Sequence, residues 1–378
     1  METISPGVHG NHSVTWEHQD LAQVKIKVLR GHLDSVNSCQ FFENDTRVLS
    51  SSNDQTVRIW ATESGKQLCT YDGHTSFVTS CHVDMLNKRM VSGGWDKRML
   101  VRDVTTGQIL WQASHEGVLT SCNYSSDGKY IVSGGDMDFS ISIWDAKDGV
   151  LIRKLKYNTN TITSCKFSQN QHRITVTSMD RTTRVIDMSM YKDEYTASLT
   201  LRGHGNVISD ASFSNDERIL ATASWDKNIQ LWDVSSGTYR KTGPVTLKKG
   251  HEGSVSSCCF STDDKMLVSS SFDQNLVVWD VANSVQKFSL KGHNGWVNDA
   301  AFSKDQKWVL SCSQDKTIRL WNIKNLDDLP VVLEHKKNMG LRIIECQKCE
   351  KQFSITQVDN AEKKKLCVFC RLKTRTLP

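Results

Sequence analysis

The chain has 378 residues, 38% hydrophobic and 24% charged, with only 4 prolines, a composition that leaves little room for disordered linker. No stretch approaches the roughly 18 apolar residues of a membrane span, and the opening METISPGVHGNHSVTWEHQD lacks the apolar centre of a signal peptide. The expected location is therefore cytoplasmic or nuclear, neither secreted nor membrane-bound. The net charge of +5 is uneven: residues 336–378 hold eleven Lys/Arg against four Asp/Glu, or +7, which leaves the rest near −2.

Taken in chain order, residues 1–23 carry no pattern and are expected to be a flexible extension. VKIKVLRGH (24–32) reads as a strand ending in a Gly-His pair, and that pair recurs as Gly73-His74, Gly203-His204, Gly250-His251 and Gly292-His293. Ser114-His115 and Tyr157-Asn158 are degenerate copies. An aspartate follows each after 22 or 23 residues: Asp54, Asp96, Asp138, Asp180, Asp226, Asp273 and Asp315. Six residues further on stand Trp60, Arg102, Trp144, Ile186, Trp232, Trp279 and Trp321. A hydroxyl precedes the aspartate by four at Ser50, Ser92, Thr222, Ser269 and Ser311; it is shifted in the third copy and replaced by Val176 in the fourth. The period is 42 residues, stretched to 46 and 47 after Asp180 and Asp226. Between these positions run short alternating segments such as VSSCCF (255–260), bounded by turns such as Asp263-Asp264, which read as strands. Several strands per repeat of this length predict one small sheet per repeat, stacked radially.

Residues 24–335 resemble the WD40 β-propeller family, as in GHEGSVSSCCFS…LVSSSFDQNLVVWD. The resemblance implies an all-β, seven-bladed propeller in which His, Ser or Thr, Asp and Trp form a hydrogen-bonded chain within each blade. Four sets are complete: His32, Ser50, Asp54, Trp60; His204, Thr222, Asp226, Trp232; His251, Ser269, Asp273, Trp279; and His293, Ser311, Asp315, Trp321. Blade four, lacking both His and Trp, is expected to be the softest. Closure falls either to the N-terminal strand, the preferred choice, or to LPVVLEH (329–335). His, Ser and Asp also make up a hydrolase triad, but a triad occurs once and not at a fixed period, so these sets read as scaffold and the chain as no enzyme. Cys39, Cys81, Cys122, Cys165 and Cys258 share a slot seven residues after the His position with Ala211 and Ala300, so that slot wants a small apolar group rather than a thiol. Cys69, Cys259 and Cys312 read the same way.

Residues 336–378 form a second, basic module. Cys346-x2-Cys349 and Cys367-x2-Cys370, seventeen residues apart, have the spacing of a closed tetrahedral zinc site, so one structural zinc ion is expected. A module this small needs such a staple to fold.

The residue before each turn aspartate is expected on one rim of the disc, a peptide-binding face by resemblance: Asn53, Trp95, Met137, Met179, Trp225, Phe272 and Gln314. Phe77 and Trp296, three residues after a histidine, belong to the same rim. Large aromatics in turns carry interface energy disproportionately. Phe77, Trp95, Trp225, Phe272 and Trp296, with Lys97, Arg98, Lys227 and Lys316 alongside to read acidic groups, form the candidate partner site. The expected function is a non-catalytic scaffold, monomeric by itself, that binds other proteins or peptides. An alternative is nucleic-acid binding through the tail, where Lys363, Lys364, Lys365, Arg371, Lys373 and Arg375 lie near Phe353 and Phe369. A second alternative is the substrate receptor of a ubiquitin ligase. The arginine that such receptors carry two residues after Trp-Asp is absent from all seven copies.

Overall fold

A computed structural model describes residues 24–324 except 85, 87, 171, 189–197 and 238, together with the backbone of 342–345 and 352–355. The N-terminal extension 1–23 and segment 329–335 lie outside the described residues. The chain divides into two compact units, Met1–Asp328 and Leu329–Pro378.

In the first unit, seven antiparallel sheets of four strands follow one another along the chain. The inner strands are Val36–Phe42, Val78–Asp84, Leu119–Tyr124, Ile162–Phe167, Ile208–Phe213, Val255–Phe260 and Val297–Phe302, and each contacts the inner strand of the blade on either side, round a full circle. The second and third strands, such as Arg47–Ser52 and Val57–Ala61, are buried on both faces and read as continuous apolar or small runs. Outer strands such as Gln67–Tyr71 are exposed along most of their length. Hydrophobic cores lie between blades rather than within them. Phe42, Leu49, Ile59 and Tyr71 of blade one, for example, pack on Val78, Cys81, Val83 and Met90 of blade two. The shared slot holds its small side chains there, with Cys39, Cys81, Cys122, Cys165, Cys258, Ala211 and Ala300 all buried. Burial pushes the Cys122 and Cys165 thiols up to about 12, so they stay protonated. Cys69 departs from the expectation. It lies on the outer strand of blade one and is exposed, because its side chain has no further sheet to pack against.

The N-terminal strand closes the ring. Ile26–Arg30 pairs antiparallel with Thr317–Asn322, from Ile26 opposite Trp321 to Arg30 opposite Thr317, and supplies the fourth strand of blade seven. Leu29, Val36, Cys39, Val48 and Trp60 then share a core with Leu310, Cys312, Ile318 and Leu320, so both ends of the propeller are tied through one apolar cluster.

A second fastening lies around the axis. Every inner strand carries a β-bulge near its start. The bulge turns a polar side chain towards the next blade. Asn37 donates to the Val78 carbonyl at 2.8 Å, Thr79 to Leu119 at 2.6 Å, Thr163 to Ile208 at 2.5 Å, Ser209 to Val255 at 2.7 Å and Ser256 to Val297 at 2.5 Å. Asn298 reaches the Val36 carbonyl at 2.8 Å, while Thr120 of blade three bonds within its own blade, to the Gly134 carbonyl, at 3.1 Å. The following position is Ser38, Ser80, Ser121, Ser164, Asp210, Ser257 and Asp299, and its two aspartates are joined through Ser257. The Ser257 hydroxyl lies 3.1 Å from Asp210 and 2.8 Å from Asp299. Lys166 sits 2.7 Å from Asp210, while Asp299 accepts from the Ser38 hydroxyl (3.1 Å) and the Cys39 amide (3.2 Å) across the closing seam.

One serine proton cannot serve two carboxylates, so a protonated Asp299 donating to Ser257 satisfies every contact. Burial pushes the Asp299 carboxyl up; Lys166 opposes this and Asp210 adds to it. A carboxyl raised above its unfolded value contributes its full stability at low pH and loses it as pH climbs through the folded-state value. Asp299→Asn keeps an acceptor for the seam and a permanent donor for Ser257. Its melting temperature relative to the native chain is expected to rise between about pH 5 and about pH 8. Asp299→Ala strands the Cys39 amide and is expected to cost about 1–3 kcal/mol at both. Equal behaviour of the Asn variant at the two pH values would show that no proton is held there.

Candidate functional site

The repeated polar residues meet within single blades. In blade one the Trp60 indole donates to Ser50 at 2.8 Å, Ser50 lies 2.8 Å from His32 Nε2, and His32 Nδ1 lies 2.7 Å from Asp54. The corresponding distances are 3.0, 2.8 and 2.8 Å for Trp232, Thr222, His204 and Asp226, and 2.8, 2.8 and 3.0 Å for Trp279, Ser269, His251 and Asp273. All three are 2.8 Å for Trp321, Ser311, His293 and Asp315. The indole can only donate, so the hydroxyl accepts from it and passes its own proton to Nε2, which fixes Nδ1–H on the carboxylate. Burial lowers the His32 and His293 pKa despite the facing carboxylates. Burial also opposes ionisation of Asp226 and Asp273, yet bonds from histidine and backbone amides outweigh it and hold both near 2. Each hydroxyl is fully buried, at 0% exposure for Ser50, Thr222, Ser269 and Ser311, so no substrate carbonyl can reach it.

The other three blades depart from the set in different ways. Blade two keeps His74 at 2.8 Å from Asp96 and 2.9 Å from Ser92, while the Arg102 guanidinium replaces the indole and donates to the carbonyls of Asp72 and Gly107. In blade three Trp144 donates to Ser133 at 2.8 Å, but His115 lies 3.4 Å from that hydroxyl and Asp138 pairs instead with Lys154 at 2.6 Å. Burial takes His115 down to about 4. Blade four uses Asn158, which donates to Asp180 at 3.2 Å, and fills the tryptophan place with buried Ile186.

These chains aim the rim. The turn aspartate also accepts the amide after the histidine, from Leu33 (3.0 Å), Thr75 (3.1 Å), Gly205 (2.9 Å), Glu252 (2.9 Å) and Asn294 (3.1 Å), which lashes two turns together. Backbone bonds then set the residue before the aspartate beside the opposite turn: Trp95 N to Phe77 O at 2.8 Å and Gln314 N to Trp296 O at 2.8 Å. Phe77 and Trp95 consequently meet at 5.4 Å between ring centres. Trp225 lies 6.3 Å from Phe272, and Phe272 stacks on Trp296 at 4.8 Å and 24°, so a strip of three rings crosses blades five, six and seven. Trp95 is 54% and Trp296 49% exposed. Met137 and Met179 extend the exposed apolar rim through blades three and four. Lys97, Lys227 and Lys316 stand one residue after the turn aspartate with φ of 62°, 72° and 69°, while Arg98 donates to the Gly73 carbonyl and to Gln112. Arg181 occupies the same turn position in blade four with φ of 65°. Sequence reasoning passed it over, although its place after Asp180 was the signal.

Cys346, Cys349, Cys367 and Cys370 and the basic residues of the tail lie outside the described residues, as do the side chains of the flanking strands. The backbone of Arg342–Glu345 pairs antiparallel with Gln352–Ile355, with Glu345 opposite Gln352. Among the described residues no cluster of three or more His, Cys, Asp or Glu could hold a metal ion, and no helix is long and apolar enough to cross a membrane.

The model of the WD domain, G-beta repeat, matches seven times, at residues 23–61, 65–103, 108–145, 149–187, 196–233, 243–280 and 284–322. The chain belongs to the WD40 family. It is 41% identical to human WD repeat-containing protein 88 over 368 residues, covering 96% of this chain and 77% of that protein. It is 30% identical over 230 residues to a guanine nucleotide-binding protein subunit beta of japonica rice, covering 55% of this chain and 59% of the rice protein. A 26% identity over 217 residues links it to autophagy-related protein 16 of Arabidopsis thaliana.

Proposed function

We propose that the chain is a non-catalytic scaffold that docks other proteins on its aromatic rim. The observation that carries this reading is the strip Trp225–Phe272–Trp296, half-buried at its first two rings and exposed at the third, together with the exposed Phe77–Trp95 pair. Both sit in turns whose geometry is fixed by buried hydrogen bonds. Half-exposed indoles on a rigid frame lose little conformational entropy on contact and exclude much water, as interface anchors do. One relative is, by its name, a subunit of an assembly. Replacing both Trp225 and Trp296 by alanine is expected to abolish affinity capture of partners, read by mass spectrometry, with little change in melting temperature. An unchanged partner set, or a collapse in melting temperature, would instead make the rings a structural cap.

The same reading gives the tail a structural zinc ion on Cys346, Cys349, Cys367 and Cys370. Four thiolates close the coordination sphere and leave no open position for catalysis. Elemental analysis of the full chain is expected to find one zinc, lost in Cys349→Ser with the propeller still folded. Native protein purified without metal would remove the zinc from the account.

A further inference from the structure

The two faces of the disc treat their cations differently. On the face opposite the rim, the connections that follow the inner strands pair five cations with carboxylates a few residues away, while Lys88 and Lys304 stand exposed there without such a pair among the described residues. The pairs are Arg47 with Glu43 (3.0 Å), Lys129 with Asp127 (3.2 Å), Arg218 with Asp216 (3.7 Å), Lys265 with Asp263 (3.6 Å) and Lys307 with Asp305 (3.0 Å). On the rim, Lys97, Arg181, Lys227 and Lys316 are exposed, and none of them joins an ion pair among the described residues. Each follows an aspartate, but that carboxylate is turned inward. Asp226 accepts from His204 and the amides of Gly205 and Asn228; Asp315 accepts from His293 and the amides of Asn294 and Thr317.

Fastening the blade thus takes the local anion away from the cation beside it. The left-handed turn holds the lysine or arginine out from the rim. In blades two, four and five the cation stands two residues from Trp95, Met179 or Trp225. Exposed carboxylates on this face are few: Asp34, Asp72, Glu116 and Glu252, with Glu116 already 3.5 Å from Lys154. Apolar side chains and unpaired positive charge therefore share one face, with cations in blades two, four, five and seven.

Resting on the docking function proposed above, we infer that the occupant of this rim is an acidic segment of another protein. Its Asp and Glu carboxylates pair with Lys97, Arg181, Lys227 and Lys316, while its apolar side chains lie on the aromatic strip. Charge complementarity of this kind steers encounter and fixes register. Single-stranded nucleic acid fits less well, because it needs open ring faces to stack on. Phe272 and Trp296 use theirs on each other.

The test is selection of random peptides of about 12 residues on the full chain, repeated on the triple variants Lys97→Glu/Lys227→Glu/Lys316→Glu and Lys97→Gln/Lys227→Gln/Lys316→Gln. Native protein is expected to select peptides rich in Asp and Glu with Leu, Phe or Trp, whose affinity falls steeply between about 50 and about 300 mM salt. Charge reversal is expected to weaken a selected peptide by about tenfold or more, with the glutamine variant in between. Selection of neutral or basic peptides, an affinity indifferent to charge reversal, or displacement of the peptide by poly(U) would overturn the inference. If indifference to charge comes with loss of binding in the Trp225→Ala/Trp296→Ala variant, docking stands and the acidic partner falls. If neither variant matters, or no peptide is selected, both readings fall.

Discussion

A buried indole proton is the constraint from which the rest follows. A tryptophan in the third strand of a blade has to lose water and still satisfy its one donor. The hydroxyl of the second strand accepts that proton and must place its own, and the histidine that takes it hands the next to the turn aspartate. The chain therefore runs from the packed interior to the rim without an unpaired group. It ends on amides of two different turns, so the burial of a tryptophan side chain fixes where exposed residues stand. The same coupling puts so conspicuous a set of His, Ser and Asp out of reach of a solute. Its hydroxyls are shut away from substrate and are already engaged at both ends.

Blades built this way still have to be joined. Apolar cores between neighbours supply most of the area, but an apolar interface alone does not set register. The bulge residues Asn37, Thr79, Thr163, Ser209, Ser256 and Asn298 do that, each reaching a carbonyl of the next inner strand. The missing covalent link lies inside blade seven, between its third strand Thr317–Asn322 and the N-terminal strand Ile26–Arg30, which itself runs on into blade one. There the N-terminal strand, the shared core around Leu29 and the Asp299 carboxyl act together.

Much of this was legible in the amino-acid order because sheet geometry converts spacing into contact. His32 and Asp54 are 22 residues apart, and the same interval reproduces the same contact in blades two, five, six and seven. Where the spacing slips, so did the reading. Asp138 looked like the blade-three equivalent, yet it pairs with Lys154, and Asp136 takes the amide of Val118 instead. The bulge residues escaped notice because Asn, Thr and Ser on an inner strand look like ordinary alternation. Lys166, Asp210 and Asp299 lie on three separate blades, and only the closed ring brings their side chains together. The rim aromatics could be placed by position. The stacking of Phe272 on Trp296 could not, since it joins different blades.

Hydrogen exchange at the indole nitrogens, followed by NMR, tests the central claim most directly. The donors of Trp60, Trp144, Trp232, Trp279 and Trp321 should exchange only when the whole propeller opens, while those of Trp95 and Trp296 exchange at once. If the two groups exchanged at similar rates, the indole-anchored chains could not be what holds the blades and positions the rim.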